Sequence, residues 1–280
     1  MEYFFRDKEP KDIKLDFGDF QLLGHSIAGI ETVYSVPQFD LTLDTGCAPH
    51  YAISNKHLAL SHWHLDHAGG LTAILGLRKI YNQGELRIIV PDEKVEQTIE
   101  FLNLLKRISE SGLEFSVHPA SATHSLKPDL KMTGIPAKHC TTASGYLVTR
   151  EKHKLKPKFQ GFSHDEILHL KNQKIAITDE KREPLLAYSG DSEIDFVHTE
   201  ARLAKILIME CSFFADDADF AKIKNYGHAH INDWVKVQDL IESEHIIMTH
   251  TSQRHSLKEI RAICERKLSS QFFKKLILFR

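Results

Sequence analysis

Apolar and β-branched runs alternate with longer amphipathic stretches from one end of this chain to the other. Short apolar runs bounded by turn residues read as strands. In the first half they predict Phe20–Leu23, Glu31–Val36, Phe39–Leu43, His57–Ser61, Leu86–Val90 and Leu113–Val117. In the second half they predict Gly145–Thr149, Lys174–Thr178, Pro184–Ser189, Ala204–Glu210 and His245–Thr249. The longer stretches predict helices at Ala68–Tyr81, Glu93–Ser111, Ile231–Ser243 and Leu257–Leu268. In the second of these, Val95, Ile99, Leu102, Leu105 and Ile108 fall on one face, with Pro91-Asp92 as a start and Ser111-Gly112 as a stop. Ile231, Trp234, Val235, Gln238 and Ile241 show a similar spacing. Many strands with helices between them imply sheets covered by helices, an α/β fold. No internal repeat or linker divides the chain, so residues 1–280 read as one domain.

Composition narrows the class. A hydrophobic fraction of 42% and a charged fraction of 26% exclude a disordered chain. Lys and Arg number 36 against 38 Asp and Glu, which excludes a uniformly basic nucleic-acid coat but not a local patch. The cysteines Cys47, Cys140, Cys211 and Cys264 form no C-x-x-C pair, so reduced thiols and a cytoplasmic location are expected. The N-terminal MEYFFRDKEPKDIK lacks the apolar core of a signal peptide. The longest apolar runs, such as AKILIM at 204–209, suit buried strands, and no membrane partner is expected. Eighteen histidines are the unusual count, and histidine is the commonest metal ligand.

Their strongest concentration is Ser61-His62-Trp63-His64-Leu65-Asp66-His67-Ala68-Gly69-Gly70. Here an apolar strand runs into a helix. On extended backbone, side chains alternate, so His62 and His64 face the same side and can chelate one ion. Asp66 and His67 lie where the chain turns, and Gly69 and Gly70 permit close backbone packing. Three imidazoles and a carboxylate suit Zn²⁺. As ordinary buried residues, all four would need separate polar partners. Further candidate ligands lie at or beside strand ends: His139 before one strand, Asp191 after LLAYSG and His250 after HIIMT. Together they complete two sites, with His62, His64 and His139 at one ion, Asp66, His67 and His250 at the other, and Asp191 bridging.

A second segment stands apart by charge. Arg150–Gln160 carries Arg150, Lys152, Lys154, Lys156 and Lys158 against Glu151 alone. It is either an arm that meets phosphates or a solvated hairpin whose lysines discourage edge pairing.

HWHLDH followed by AGGL, with His139, Ser-Gly-Asp191 and Thr-His250, resembles the metallo-β-lactamase superfamily. AKHCTTASGYLV, KHKLKPKFQG, AYSGDSE, IMECSFF, YGHAHINDW and MTHTSQRHS resemble its tRNA 3′-processing branch, ribonuclease Z, in the short plant-like form. The resemblance spans about Gly24 to Arg261 and implies a four-layer αβ/βα sandwich with metals at one edge of the sheets. It also implies a homodimer in which one subunit's arm, at about 150–161, holds precursor tRNA while the other cuts. His228 matches a histidine that protonates the leaving group, Glu210 an acidic residue near it, and Ser252 and Arg254 a segment near the scissile phosphate. The chain departs from the family pattern in three places. His228-Ala229-His230 replaces His-Ser-Thr and leaves two eligible histidines, a Gly-Pro-rich arm is absent, and LGHSIAGIET lacks an Arg-Asn pair.

The expected activity is phosphodiester hydrolysis with two Zn²⁺ per chain, Mn²⁺ and Fe²⁺ being compatible with the same donors. A metal-bridging hydroxide would attack phosphorus, Asp66 would orient it, His228 would protonate the departing 3′-oxygen, and Arg254 would clamp the phosphate. Removal of 3′ trailers from precursor tRNA is the leading expectation. The alternatives are hydrolysis of a small ester, such as a cyclic phosphodiester or lactone, and a non-catalytic RNA-binding scaffold.

Overall fold

The computed structural model describes residues 12–173, 175–215 and 225–280. Most of the charged N-terminal stretch, residues 1–11, lies outside them. Among the described residues, two seven-stranded sheets follow one plan. The first holds β1 (Ile13–Asp16), β2 (Gln21–Ile27), β3 (Glu31–Val36), β4 (Leu41–Thr45), β5 (His57–Ala59), β6 (Leu86–Val90) and β7 (Phe115–Pro119), adjacent in chain order. The second holds β8 (His124–Lys127), β9 (Leu130–Ala137), β10 (Ala143–Leu155), β11 (Thr178–Tyr188), β12 (Ile206–Glu210), β13 (His245–Thr249) and β14 (Leu276–Leu278), again adjacent. In each sheet the first four strands are antiparallel and the remaining pairings are parallel.

The sheets pack face to face. Tyr34, Leu43 and Ile89 of the first meet Tyr146, Tyr188, Ile208 and Ile247 of the second in one buried cluster. Each such aliphatic side chain stabilises the fold by about 1.5–3 kcal/mol relative to exposure. Helices α1 (Leu65–Ala68), α2 (Leu71–Ile80) and α3 (Val95–Ile108) lie with the first sheet, whose outer face shares a second cluster with Leu71, Ile74, Leu75 and Leu102. Helix α4 (His164–Asn172) lies between β10 and β11 in sequence. On the outer face of the second sheet, α5 (Ile231–Val237), α6 (Leu257–Lys267) and α7 (Ser270–Lys275) bury Trp234, Ile260, Cys264 and Phe272. The result is the expected four-layer αβ/βα sandwich. Among the described residues, no helix is long and apolar enough to cross a membrane.

Several local expectations are corrected. The helix expected over Ala68–Tyr81 begins earlier and is divided at Gly69-Gly70, where a Cβ on Gly70 would lie 2.4 Å from the backbone of Cys47. In α3, Leu102 is buried, but Ile99 and Ile108 are exposed, because the helix meets the sheet over a narrower strip than the apolar spacing suggests. The helix expected to reach Ser243 ends at Val237 and passes into a 3₁₀ turn. No strand covers 175–177, and Lys174 lies outside the described residues. Instead β11 starts at Thr178 and pairs antiparallel with β10 as far as Tyr188. That pairing turns the basic segment into a long hairpin, with the Ser163-capped helix α4 near its tip.

The architecture gathers chemistry at one edge. Strands β4 and β5 run parallel, as do β11, β12 and β13, so their C-terminal ends open toward loops at the ends of the two sheets. Ligand sites in α/β sheets form beyond such carboxyl ends.

Candidate active site

Each segment reaches this edge for a local reason. Ser61 and His62 follow β5, and Asp44 near the end of β4 fixes them: its carboxylate accepts from the Ser61 amide at 2.6 Å and the Ser61 hydroxyl at 2.7 Å. Asp44 also faces His67 Nδ1 at 2.7 Å and accepts from the Tyr188 hydroxyl. With Nδ1 engaged by a carboxylate, His67 turns Nε2 to the centre of the site. His139 comes from the loop between β9 and β10, and its Nδ1 donates to the Gly227 carbonyl at 3.0 Å. Gly227 has φ +65°, and a Cβ there would stand 2.5 Å from the His139 Cα. Gly190, at φ +59°, likewise lies against Ser61, where a Cβ would be 2.3 Å from the serine's own. These two glycines supply left-handed turns and close approach together. His250 adopts φ 52° just past β13, a strained conformation for a non-glycine residue that aims its ring inward.

All seven expected metal-site residues converge. His62, His64, His139 and Asp191 bring one donor atom each within 4.8 Å of one another. Asp66, His67 and His250 form a second group within the same limit. The Asp191 carboxylate lies between them: Oδ1 is 3.3 Å from His67 Nε2 and 3.4 Å from His250 Nδ1, while Oδ2 is 3.9 Å from His62 Nε2. The His62 and His64 rings are 4.6 Å apart, as extended backbone at that motif requires.

The donor chemistry fits divalent cations. Among the described residues, His62 Nε2, His67 Nε2 and Asp191 Oδ1 are buried polar atoms with no hydrogen-bond partner. Such atoms are costly unless something else satisfies them. Burial, reinforced by neighbouring imidazoles, pushes His62 down to about 2 and keeps it in the neutral, ligating form. Burial opposes ionisation of Asp191, but His250 and His67 outweigh it and hold the carboxyl well below its usual range. Neutral imidazoles and ionised carboxylates are the forms that bind metal. Burial opposes a charged His67, but Asp191 and Asp44 outweigh it and hold the imidazole well above its usual range, so metal binding there would displace a proton.

Beside this donor set lies a cleft of about 680 Å³ lined by Gly29, Ser212, Phe213, His228, His250 and Ser252, with Gln253 and Arg254 exposed at its margin. His228 Nδ1 is 2.7 Å from Glu210 Oε1. Glu210 is fully buried and also accepts from the amides of Ser192 and Ala229 and the hydroxyl of Ser212. Burial disfavours a charged His228, but Glu210's charge and hydrogen bond outweigh it and raise the imidazole to about 9. The Trp234 indole donates to the Glu210 carbonyl at 3.3 Å, tying α5 to this pair. His230, the other eligible histidine, is fully buried. Its Nδ1 caps α5 by accepting from the Asn232 amide, and its Nε2 lies 3.0 Å from the Ala215 carbonyl.

The basic segment is elsewhere. Lys152 and Lys154 lie on the outer half of β10, about 30–36 Å from its start at the site at ~3.3 Å per residue, and Lys156 and Lys158 lie just past its end at a 3₁₀ turn over Pro157–Phe159. They are not uniformly free. Lys152 pairs with Glu183 at 2.6 Å and Lys156 approaches Asp179 at 3.9 Å, while Lys158 lies over the Phe159 ring.

Sequence reasoning missed Asp44, Ser61, Tyr188 and Ser212 as supports. Even Asp44 carried only a weak signal: LTLDTG places an Asp near a strand end as AYSGD does, but a lone strand-end aspartate looks like any turn residue.

Fold and donor set together define a metal-dependent hydrolase of the metallo-β-lactamase fold. The metallo-β-lactamase fold protein YhfI from Bacillus subtilis superposes with TM-score 0.62 at 14% identity, covering 91% of this chain and 93% of that one. Human tRNase Z, short form, superposes with TM-score 0.55 at 16% identity over 83% of this chain and 92% of that one. No protein-family model matches the chain. The tRNase Z TRZ1 of Arabidopsis thaliana is 34% identical over 248 residues, 86% of this chain and 88% of the relative. The chain belongs to the ribonuclease Z (tRNase Z) family.

Proposed function

We propose that this protein is an endoribonuclease that removes 3′ trailers from precursor tRNA, leaving a 3′-hydroxyl on the tRNA body, with two Zn²⁺ per chain. The observation that carries the reading is the pairing of a double donor set with His228 in one open cleft. His62, His64 and His139 would hold one ion, Asp66, His67 and His250 the other, and Asp191 both. When bound, such a pair supplies Lewis acidity toward the phosphoryl oxygens and lowers the pKa of water. Mn²⁺ and Fe²⁺ fit the same donors.

The chain's own groups do the rest. Asp66 Oδ2 is held by the Gly29 amide at 2.9 Å and is positioned to orient the attacking water. His228, protonated and anchored through Nδ1 by Glu210, keeps Nε2 for the departing 3′-oxygen. Arg254 at the cleft margin matches two phosphate oxygens with one guanidinium, and Ser252 lies beside it. The hairpin projects too far for its lysines to grip the phosphate being cut in their own subunit. A homodimer, one subunit's arm holding RNA that its partner cuts, fits that separation. Structured RNA is recognised through shape and backbone, so a few lysines suffice. Free thiols at Cys47, Cys140, Cys211 and Cys264 suit the cytoplasm.

The test is cleavage of a precursor tRNA by the Zn²⁺-loaded protein, with end-mapping of the products. A single cut releasing the trailer and a 3′-hydroxyl is expected. Intact RNA under conditions where a small phosphodiester is hydrolysed overturns the substrate assignment in favour of small-ester hydrolysis. Replacing 150–183 by a short turn should collapse RNA cleavage and spare the small diester, whereas survival of both removes the arm from RNA binding.

A further inference from the structure

A second cluster of metal-ligating side chains lies outside the active site, on the hairpin of β2 and β3. Strand register assembles it. His25 on β2 pairs with Val33, and Glu31 opens β3 diagonally across from His25 on the same face. Val33 in turn pairs with Thr45 at the end of β4, and Cys47 follows two residues later. His25, Glu31 and Cys47 bring one donor atom each within 4.8 Å of one another.

The spacing is that of a coordination shell. His25 Nε2 stands 3.2 Å from Glu31 Oε1 and 3.6 Å from Cys47 Sγ. Around a tetrahedral Zn²⁺ with ordinary bond lengths, the nitrogen–oxygen and nitrogen–sulfur edges are about 3.3 and about 3.5 Å. An outer group orients the imidazole. Asp12, opposite His25 just ahead of β1, lies 2.9 Å from His25 Nδ1, and the Tyr51 hydroxyl donates to the same Asp12 oxygen at 2.6 Å. A carboxylate on Nδ1 fixes the tautomer that leaves Nε2 free to ligate, the arrangement that accompanies histidine ligands in metal sites.

From this geometry we propose that His25, Glu31 and Cys47 form a further, mononuclear site for a thiophilic divalent cation such as Zn²⁺, separate from the active-site donors. Three protein ligands leave the fourth position to water or another small ligand. A nucleophilic cysteine activated by His25 is the competing chemistry. It is disfavoured by geometry, since His25 Nε2 stands closer to Glu31 Oε1, at 3.2 Å, than to Cys47 Sγ, at 3.6 Å. The site also adjoins the active centre. The turn between His25 and Glu31 carries Gly29, whose amide holds Asp66, and Cys47 packs against Gly70 of the metal-binding loop.

Cobalt substitution of the full-length protein tests the site, because a thiolate–Co²⁺ bond has a near-ultraviolet charge-transfer band that histidine and carboxylate ligands lack. Cys140 is the necessary control, since its sulfur is 3.5 Å from His139 Nε2. The band is expected in the wild type and in Cys140→Ser. It should vanish in Cys47→Ser, which should also bind one metal equivalent fewer, and His25→Gln should lose the same equivalent. The wild type alone gives an independent readout: Zn²⁺ should shield Cys47 from iodoacetamide, and a chelator should expose it. No charge-transfer band, a band unchanged in Cys47→Ser, or equal labelling of Cys47 with and without Zn²⁺ overturns the proposal.

Discussion

The cleft and the hairpin arm contrast within one sheet. At the inner end of β10 and β11, supporting groups hold several donors: Asp44 of the first sheet engages Ser61, His67 and Tyr188 of β11, and the Gly227 carbonyl takes His139. At the outer end of the same two strands, side chains such as Lys152 and Lys154 are exposed, and Lys152–Glu183 and Lys156–Asp179 pair across the hairpin. The inner end is buried and hydrogen-bonded, whereas the outer end offers reach and charge. If the arm holds RNA as proposed, chemistry and recognition would place opposite demands on one pair of strands.

Substitutions can break or sharpen that contrast. The largest effect is expected for Asp191→Ala, which removes the carboxylate shared by both donor groups. Turnover should fall to background and metal content should drop, as measured by phosphodiester hydrolysis and elemental analysis; unchanged metal content would refute the shared-ligand assignment. His228→Ala should slow cleavage by about 10²–10⁴-fold while both metals stay bound. Parallel loss of metal would make His228 a ligand. Asp44→Asn keeps the shape but weakens the hold on His67, and a loss of about 10–100-fold in metal affinity or activity is expected in a chelator competition. An unchanged affinity would mean that His67 orients itself. The smallest effects belong to the arm. Lys154→Ala should weaken RNA binding modestly, lower the salt dependence by about one phosphate contact, and leave small-diester hydrolysis unaltered. A change in the small-diester rate would show that arm and cleft are not independent.

The sequence made the centre legible to an unusual degree, because H-x-H-x-D-H states its geometry locally. His62 and His64 share a side by strand periodicity, and no tertiary information is needed to see it. His139, Asp191 and His250 were visible as polar residues at or beside strand ends, but their convergence depends on the parallel run of β11, β12 and β13, which only pairing reveals. Asp44 stayed hidden, since one aspartate near a strand end looks like any turn residue. The eligible histidines His228 and His230 were indistinguishable by spacing. Burial separates them, one in the cleft and one capping α5. The arm was half legible. Its charge was plain, yet its length was missed because β11 begins in the polar run TDEKRE, which carries no apolar alternation. Exposure on both faces removes the periodic signal that marks a strand.

Each donor group mixes residues from both sheets. His62 and His64 follow the first, while His139 and Asp191 belong to loops of the second, and Asp66 and His67 meet His250 in the same manner. An occupied centre would thus rivet one half of the sandwich to the other. Stripping it should loosen the seam between the halves as well as silence the chemistry.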